Sequence, residues 1–474
     1  MTEILKELHK YVPYHGKGAK RVYGDQAIVG DQLTVERGVN SHNTLTNGFT
    51  PKDKLEGLHF EVADWHGVNK SLAVAFSRLY STASAADKCT LYSNRNLINR
   101  RNVRADVESN VNACRRFFSL EIESRIVAAC MAELCIDDFD DTPSVLKVSE
   151  DNTWSDQQRK QFVRDLAVKI CDTYILDQQK HEKFISACHH ADVRASKQCS
   201  DMTDEGRYKC RYPGCKSTFA SNGRCRRTHE GKHNPPVNVP EDNPTVDLFF
   251  EDDPSQSDDM YNYQKSLLEI GMLIMNIQDA ISEGDGGRVV RCWKFLLLYL
   301  KHDNGSQKYS LEVLYLMFQI NGILSPRSAH QLIWNRFTKL RPGHAGHIPL
   351  DLNLEFYNKT VKQAIKKLGS NASKRSINRI CRSIDVTKAL MGNFDKEVNM
   401  YKTSGKHIRK SALNDMKAVV AELIHQHALS RVPGRCYSYY TGAKSSILAG
   451  FDLQKMFKWI NDHKTYVTLG RRPR

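Results

Sequence analysis

Two cysteines and two histidines near the middle of the chain have the spacing of a tetrahedral metal site. Cys210 and Cys215 are separated by four residues, and His229 and His233 are separated by three. Two thiolates on a hairpin turn, facing two imidazoles one helical turn apart, form the ligand set of a C2H2-type zinc finger. The alternative is four unrelated side chains in a loop, and the spacing favours the zinc site. The sequence therefore predicts a structural Zn²⁺ ion bound by these four residues.

The predicted finger, residues 205–236, departs from the usual pattern in its core and in its base-reading positions. Arg226 occupies the helix position where such fingers place a core leucine. Asn222, Cys225 and Thr228 occupy the base-reading positions, and none of them is a strong guanine reader. We therefore expect the finger to contact phosphates rather than bases. The residues expected to do so are Arg224, Arg226, Arg227 and Lys232.

The charge of the whole chain favours a polyanionic partner. Its 474 residues carry a formal net charge of +15, and the isoelectric point is about 9.1. An excess of this size favours nucleic acid, because basic side chains release counterions from phosphates. Without a finger, the same charge would indicate no more than a basic soluble protein. The two features together predict a protein that associates with nucleic acid, and with DNA in particular.

Three further features bear on where the protein acts. A hydrophobic content of 40% is enough for a large core, but no run of roughly eighteen apolar residues predicts a membrane helix. Residues 1–8 form a charged amphipathic pattern rather than a secretory signal. The thirteen cysteines are scattered, as in proteins of reducing compartments. With DNA as the partner, these features predict a nuclear protein with no membrane association, and they leave self-association into a homo-oligomer open.

Composition divides the chain into six segments. The first contains two strand-like runs, separated by a polar, turn-rich stretch over residues 34–53. In the second, Cys188, His189, His190 and Cys199 could hold another metal ion, although their spacing favours a structural role. Acidic residues, prolines and serines after the finger predict a flexible linker. The predicted segments are a strand-containing part (1–80), a helical region (81–204), the finger (205–236), the linker (237–260), a helical insertion (261–345) and a helical C-terminal part with a basic tail (346–474).

Three carboxylates are candidates for chemistry rather than binding. Asp31 and Asp64 each end a predicted strand, and Glu355 lies early in a predicted helix. A cluster of such carboxylates can bind two Mg²⁺ ions for phosphodiester cleavage or transfer. Asn358 and Lys362 lie on the same face of that helix, where they could contact a nucleic-acid backbone. The residue pattern alone favours structural roles instead, in which the aspartates shape a turn or cap a helix and the glutamate is a solvated charge.

Four stretches of the sequence together resemble an uncharacterised family. They are residues 29–34, 64–66, 91–103 and 349–358. The family is a eukaryotic one of unknown function, found in invertebrates and fungi, and it is similar to proteins of transposable elements. The helix around Glu355 also resembles the glutamate helix of retroviral integrases and related transposases.

This resemblance implies both a fold and a function. The implied fold is α+β and predominantly helical, with a small RNase H-like sheet that a large helical insertion splits, as in hAT-type transposases. The insertion spans about residues 81–340 and carries the zinc finger. The implied function is that of a transposase-derived, zinc-binding, DNA-associated protein, in which Asp31, Asp64 and Glu355 bind Mg²⁺ for strand transfer or cleavage. Two alternatives stay open, namely a non-catalytic zinc-finger module that tethers to nucleic acid or protein, and a helical scaffold in which the finger is a structural clip.

Overall fold

The computed structural model describes most of the chain. The described residues are 1–143, 154–176, 207–220, 224–237, 257–398 and 412–468, with a few single positions between 182 and 205. They are predominantly helical and contain four two-stranded sheets, which confirms the predicted α+β class with helices in the majority. Asn222, Cys188, Cys199 and most of the predicted linker lie outside the described residues. No helix within the described ranges is both long enough and apolar enough to span a membrane.

The helices and strands of the described residues have the following bounds. The helices are α1 (Thr2–His9), α2 (Gln32–Asn43), α3 (Asp64–Leu79), α4 (Leu91–Leu97), α5 (Val111–Leu134), α6 (Asp156–Ile170), α7 (Arg224–Glu230), α8 (Asp259–Glu283), α9 (Gly286–His302), α10 (Gln307–Phe318), α11 (Pro326–Trp334), α12 (Leu350–Leu368), α13 (Lys374–Glu397), α14 (Leu413–His425) and α15 (Leu453–Thr468). The strands are β1 (Tyr14–His15), β2 (Val22–Tyr23), β3 (Gln26–Gly30), β4 (Leu58–Val62), β5 (Tyr208–Lys209), β6 (Thr218–Phe219), β7 (Phe337–Lys339) and β8 (His347–Pro349).

The chain forms two compact units. Unit 1 comprises residues 1–125 and 270–426, and unit 2 comprises residues 126–269 and 427–474. The three candidate carboxylates belong to unit 1, and the four candidate zinc ligands belong to unit 2.

The central sheet of unit 1 is a parallel pair, β3 and β4, joined through α2. Gln26 lies opposite Leu58 and Gly30 opposite Val62, so the carboxyl ends of both strands lie at the same edge. The polarity of residues 34–53 predicts turns here, and this prediction was wrong for the part that forms α2. Parallel strands require a crossover connection, and a helix is the usual one.

Helix α3 follows β4 after a single residue and packs against α9. The approach is close because Gly67 of α3 lacks a side chain, and a Cβ atom there would lie 2.6 Å from the Trp293 ring. The ring therefore lies close to the backbone of α3, and its indole nitrogen reaches Asp64 at the start of that helix. A larger residue than glycine at this position would push the two helices apart.

Helix α12 brings the distant C-terminal part of unit 1 to the same edge of the sheet. It packs against α3, β3 and the β7–β8 hairpin. Its buried Asp351 accepts hydrogen bonds from the backbone N–H groups of Trp65 and His66, at 3.3 and 3.1 Å. These are unpaired donors of the first turn of α3, so a residue almost three hundred positions away caps that helix. Helix α13 then folds back against α12 to form a helical hairpin.

Unit 2 contains the finger and a loop bound to the start of α8. The buried carboxylate of Asp258 accepts hydrogen bonds from Arg435 at 2.7 and 2.9 Å and from the backbone N–H of Val432 at 2.7 Å. Asp259 accepts hydrogen bonds from the N–H groups of Tyr437 and Ala443 at 3.0 and 2.9 Å. Two adjacent aspartates thus fix the irregular residues 432–443 to a helix terminus.

Candidate metal centre and acidic cluster

The four predicted zinc ligands meet at one point. Their ligand atoms all lie within 4.8 Å of one another. Cys210 Sγ is 3.3 Å from His233 Nε2, Cys215 Sγ is 3.3 Å from His229 Nε2, and the two Nε2 atoms are 3.1 Å apart. Around a tetrahedral zinc ion, with bonds of about 2.3 Å to sulfur and 2.0–2.1 Å to nitrogen, neighbouring ligand atoms are about 3.4–3.8 Å apart. Two sulfurs and two nitrogens at these separations fit a single zinc ion.

Local structure explains why the ligands converge. The β5–β6 hairpin is closed by a backbone hydrogen bond of 2.9 Å from Cys210 to Ser217, and Gly214 has the positive φ of +83° that its turn requires. The Tyr212 ring stacks on the His233 ring, with centroids 4.2 Å apart. Hydrogen bonds with Ser217 and His229 lower the pKa of Cys215 to about 6. A lowered thiol pKa favours the thiolate, which is the form that binds zinc.

The core of the finger is ionic where other fingers have a leucine. Arg226 is fully buried, with its Nε 3.0 Å from Glu230 and its Nη2 2.9 Å from Asp201. Its guanidinium also lies over the Tyr208 ring, 5.6 Å from the centroid. The prediction that Arg226 contacts phosphates conflicts with this position, because a buried and paired guanidinium cannot reach a ligand. The other three basic residues of that prediction, Arg224, Arg227 and Lys232, are exposed.

Asp64 lies in the interior of unit 1 and has its oxygens occupied. It is 1% exposed, Oδ1 accepts from Trp293 Nε1 at 2.8 Å, and Arg336 donates to both oxygens at 2.8 and 2.9 Å. Arg336 is itself 4% exposed and also donates to the carbonyl of Val62, the last residue of β4, at 2.8 Å. Asp64 therefore belongs to a buried ion pair that ties β4 and α3 to the segment before β7.

The other two candidate carboxylates lie around His66. Asp31 caps α2, accepting from the Thr34 N–H at 2.8 Å, and Glu355 is an exposed residue of α12. The His66 Nδ1 donates to Asp351 at 2.9 Å. This hydrogen bond raises the pKa of His66, and the negative charges of Asp351, Asp31 and Glu355 raise it further against the lowering effect of burial.

Burial and the negative charges of Asp31 and Asp351 also affect the pKa of Tyr309 in α10. Burial, together with the nearby Asp31 and Asp351, raises the pKa of its phenol to about 12. The carboxyl edge of the β3–β4 pair thus gathers two of the three predicted carboxylates around a histidine, with Asp351 as an additional member. Potential metal ligands are histidine, cysteine, aspartate and glutamate side chains. Among the described residues, the group of such side chains whose ligand atoms all lie within 4.8 Å of one another is the one in the finger. The structure does not bring Asp31, Asp64 and Glu355 together in that way, and their metal-binding role stays a prediction.

The family of the chain follows from a comparison with known families. The model of a family of unknown function, DUF6589, matches residues 20–407. The chain belongs to this family. No curated protein and no solved structure matches the chain. Membership confirms the predicted uncharacterised family, and the DUF6589 match spans both the finger and the acidic cluster. A relationship to transposases or to RNase H-like proteins stays a prediction.

The DUF6589 match also includes the face of α12 that carries the predicted nucleic-acid contacts. Asn358 is partly buried and Lys362 is exposed. A surface depression of about 340 Å³ runs along this face. It is lined by Glu355, Lys359, Lys362, Gln363 and Lys366. Glu355 and Lys362 thus border one depression, as their helical spacing predicts.

Sequence reasoning missed three residues that contact Asp64 or His66, namely Asp351, Arg336 and Trp293. Asp351 lies within the motif around Glu355, but nothing local distinguishes it from other helix-start aspartates. Arg336 and Trp293 give no local signal, because they act on Asp64 across more than two hundred positions of sequence. Periodicity and composition report only on neighbours along the chain, so contacts of this kind escape them.

Proposed function

We propose that this protein is a zinc-stabilised DNA-binding protein. The observation that supports the proposal is the convergence of Cys210, Cys215, His229 and His233, with ligand atoms within 4.8 Å, in a finger with exposed basic residues. Zinc binding supplies free energy of folding that so small a module lacks, and it fixes the orientation of the basic side chains.

Binding by this finger is proposed to be electrostatic rather than sequence-specific. Arg224, Arg227 and Lys232 contact phosphates, and the net charge of +15 adds long-range attraction. Cys225 and Thr228 are exposed at base-reading positions, but neither offers the bidentate donors that read guanine. Descent from a transposase and residence in the nucleus are part of the same proposal, since both accord with a DNA partner.

The test is DNA binding with and without the zinc site. A fluorescent duplex of random sequence is titrated with the full chain, and the affinity is measured as a function of KCl concentration. Cys210→Ser and treatment with a chelator are expected to remove one bound zinc ion and to weaken binding. Cys225→Ser is the matched control, because Cys225 lies exposed on the same helix and is not a ligand. If Cys210→Ser and the chelator-treated protein bind DNA as tightly as the wild type and Cys225→Ser do, the finger has no role in binding.

A second candidate function is metal-dependent phosphodiester chemistry in unit 1. The observation in its favour is that Asp31 and Glu355 both act on His66 at the carboxyl edge of a parallel strand pair. In this proposal the two carboxylates bind Mg²⁺, and Asp64 positions the start of α3 through its pair with Arg336. The residues around Asp31 would then be a reduced counterpart of an RNase H-like site.

This second function is tested by nicking of supercoiled DNA. Activity that requires Mg²⁺ or Mn²⁺ and is lost in both Asp31→Asn and Glu355→Gln would support it. Asp53→Asn is the control, because Asp53 is an exposed carboxylate of the same unit. Nicking that persists in both variants would assign the activity to a contaminant or to another site.

A further inference from the structure

The helical hairpin formed by α12 and α13 carries a large positive charge that no acidic residue within residues 356–384 offsets. Residues 356–384 contain eight lysines and arginines and no aspartate or glutamate. All eight are exposed, and within the described part of the chain none of them forms an ion pair. They are Lys359, Lys362, Lys366, Lys367, Lys374, Arg375, Arg379 and Arg382.

The cations are ordered along each helix. On α12, Lys359, Lys362 and Lys366 follow one another at intervals of three and four residues, which places them on one face. On α13, Arg375, Arg379 and Arg382 follow at intervals of four and three and share a face as well. Each set of three spans about 10 Å at a rise of 1.5 Å per residue. Along the same length of duplex, each DNA strand has about three phosphates.

A merely solvated helix face has a different composition. Such faces mix acidic and basic residues, since pairs three or four positions apart stabilise the helix by about 0.2–0.5 kcal/mol each. Uniform charge instead makes neighbouring side chains repel one another. Between Phe356 and Ile384, over parts of two helices and the loop that connects them, no acidic residue offsets this repulsion. A polyanion bound across the hairpin would relieve it.

We propose that the α12–α13 hairpin is a second DNA-binding surface, which contacts the phosphate backbone of duplex DNA. This rests on the proposed function, because it extends DNA binding from the finger to unit 1. It adds Lys359, Lys366, Lys367 and the cations of α13 to the expected contact at Lys362.

Nucleic acid fits this surface better than an anionic membrane does. Helices that lie on membranes bury large apolar side chains beside their cations. Phe356 and Tyr357 are exposed at the start of the run, before its first cation. From Asn358 to Asp385, a stretch that lies in the described part of the chain and contains all eight cations, no large hydrophobic side chain is exposed. The exposed apolar residues of α13 begin at Val386, after the last cation of the run. The exposed apolar side chains therefore lie at the two ends of the run and not among its cations, whereas a helix on a lipid bilayer needs them along its length.

The experiment compares charge-neutralised variants of the full chain on a duplex of random sequence. One variant is Lys359→Gln with Lys362→Gln and Lys366→Gln, and the other is Arg375→Gln with Arg379→Gln and Arg382→Gln. The matched control is Lys17→Gln with Lys20→Gln and Lys52→Gln, which removes the same charge from exposed lysines elsewhere in unit 1. Circular dichroism verifies that all variants keep the helical content of the wild type. Binding is measured by fluorescence anisotropy from 50 to 200 mM KCl.

Each hairpin variant is expected to bind at least about tenfold more weakly than the control variant at 100 mM KCl. The slope of log K against log salt is expected to fall by up to about 2.7, or about 0.9 for each lost phosphate contact. Hairpin variants that bind as the control does would overturn this inference and leave the finger proposal intact. Binding of phosphatidylserine vesicles without binding of duplex would overturn it in favour of a membrane. A wild type that binds no duplex at any salt concentration would overturn both proposals.

Discussion

At the scale of single residues, Asp64 shows that an aspartate at the end of a strand can be a metal ligand or a member of a buried ion pair. Its position after β4 makes it a candidate metal ligand, although the residue pattern alone favours a structural role, and the resemblance to transposases implies the metal-binding role. In the folded chain it is 1% exposed and bound by Trp293 and Arg336. The position of Asp64 at the sheet edge could be predicted from the strand pattern. Its partners could not, because one comes from a helix and the other from the segment before β7, both far along the chain.

Replacement of Asp64 by asparagine is expected to destabilise unit 1 strongly. The variant leaves the buried guanidinium of Arg336 without the carboxylate it pairs with, and breaking a buried pair in this way costs about 3–5 kcal/mol. The measurement is the free energy of unfolding in urea. Asp31→Asn is the control, because asparagine caps helices as well as aspartate does, and its effect should stay below about 0.5 kcal/mol. An equally small effect for Asp64→Asn would mean that the pair contributes no net stability.

The pKa of His66 is expected to depend mainly on Asp351. Their hydrogen bond is the largest cause of a pKa above the ordinary 6.5, and Glu355 acts only through its charge. Titration of the His66 ring by NMR should therefore show a large downward shift in Asp351→Asn and a smaller one in Glu355→Gln. A shift of equal size in the two variants would contradict the hydrogen bond.

The same pair has a consequence for stability. A histidine whose pKa rises on folding stabilises the protein below its unfolded pKa of about 6.5. That contribution is lost as the pH rises through the raised pKa of the folded state. The pH range therefore lies at and above 6.5, and the stability difference between wild type and His66→Gln should be greatest on its acidic side.

At the scale of elements, periodicity predicts the long helices well and the short connections poorly. The apolar spacing of residues 351–367 predicts a helix, and α12 spans Leu350–Leu368. Ser325 and Pro326 predict the start of α11, and Ser325 is its cap. Helix α2 is different, because it buries only a narrow stripe that includes Val35 and Val39 and is polar elsewhere. Its sequence resembles a loop, and its packing on β3 and β4 makes it a helix.

Substitutions at Arg226 and Glu230 test whether the ionic core stabilises the finger. Arg226→Leu alone restores the usual core residue but leaves Glu230, 1% exposed, without its main partner, so it should destabilise the finger by about 3 kcal/mol. Adding Glu230→Gln removes a buried charge that would keep only Arg211 as a partner among the described residues, at 3.7 Å, and the double variant should recover most of that loss. The measurement is zinc affinity by competition with a chromophoric chelator. A double variant weaker than the single one would show that the charge of Glu230 has another role, such as its hydrogen bond from the N–H of Arg211.

At the scale of the whole molecule, two populations of charge differ in their response to salt. One consists of buried pairs, such as Asp64 with Arg336 and Glu121 with Arg125, whose side chains are at most 3% exposed. The other is the exposed excess that produces the net charge of +15, and the α12–α13 hairpin is a concentrated part of it. At 0.1 M, dissolved salt largely screens the interaction between exposed charges that are more than about 10 Å apart, and it screens buried pairs much less. Removing one partner of a buried pair leaves an uncompensated charge in the interior. The exposed excess destabilises the fold by self-repulsion and favours a polyanion.

Added salt is therefore expected to raise the melting temperature of the free protein. Between 50 and 500 mM KCl, screening weakens the repulsion among exposed cations and leaves the buried pairs intact, and a rise of a few degrees should follow. A variant with glutamine at Lys359, Lys362, Lys366, Arg375, Arg379 and Arg382 carries a net charge of 15 − 6 = +9. Its melting temperature should be higher than that of the wild type at 50 mM KCl and should rise less with salt. A melting temperature that falls with KCl in the wild type would instead mean that exposed ion pairs hold the fold together, and the basic hairpin would then carry no repulsion for DNA to relieve.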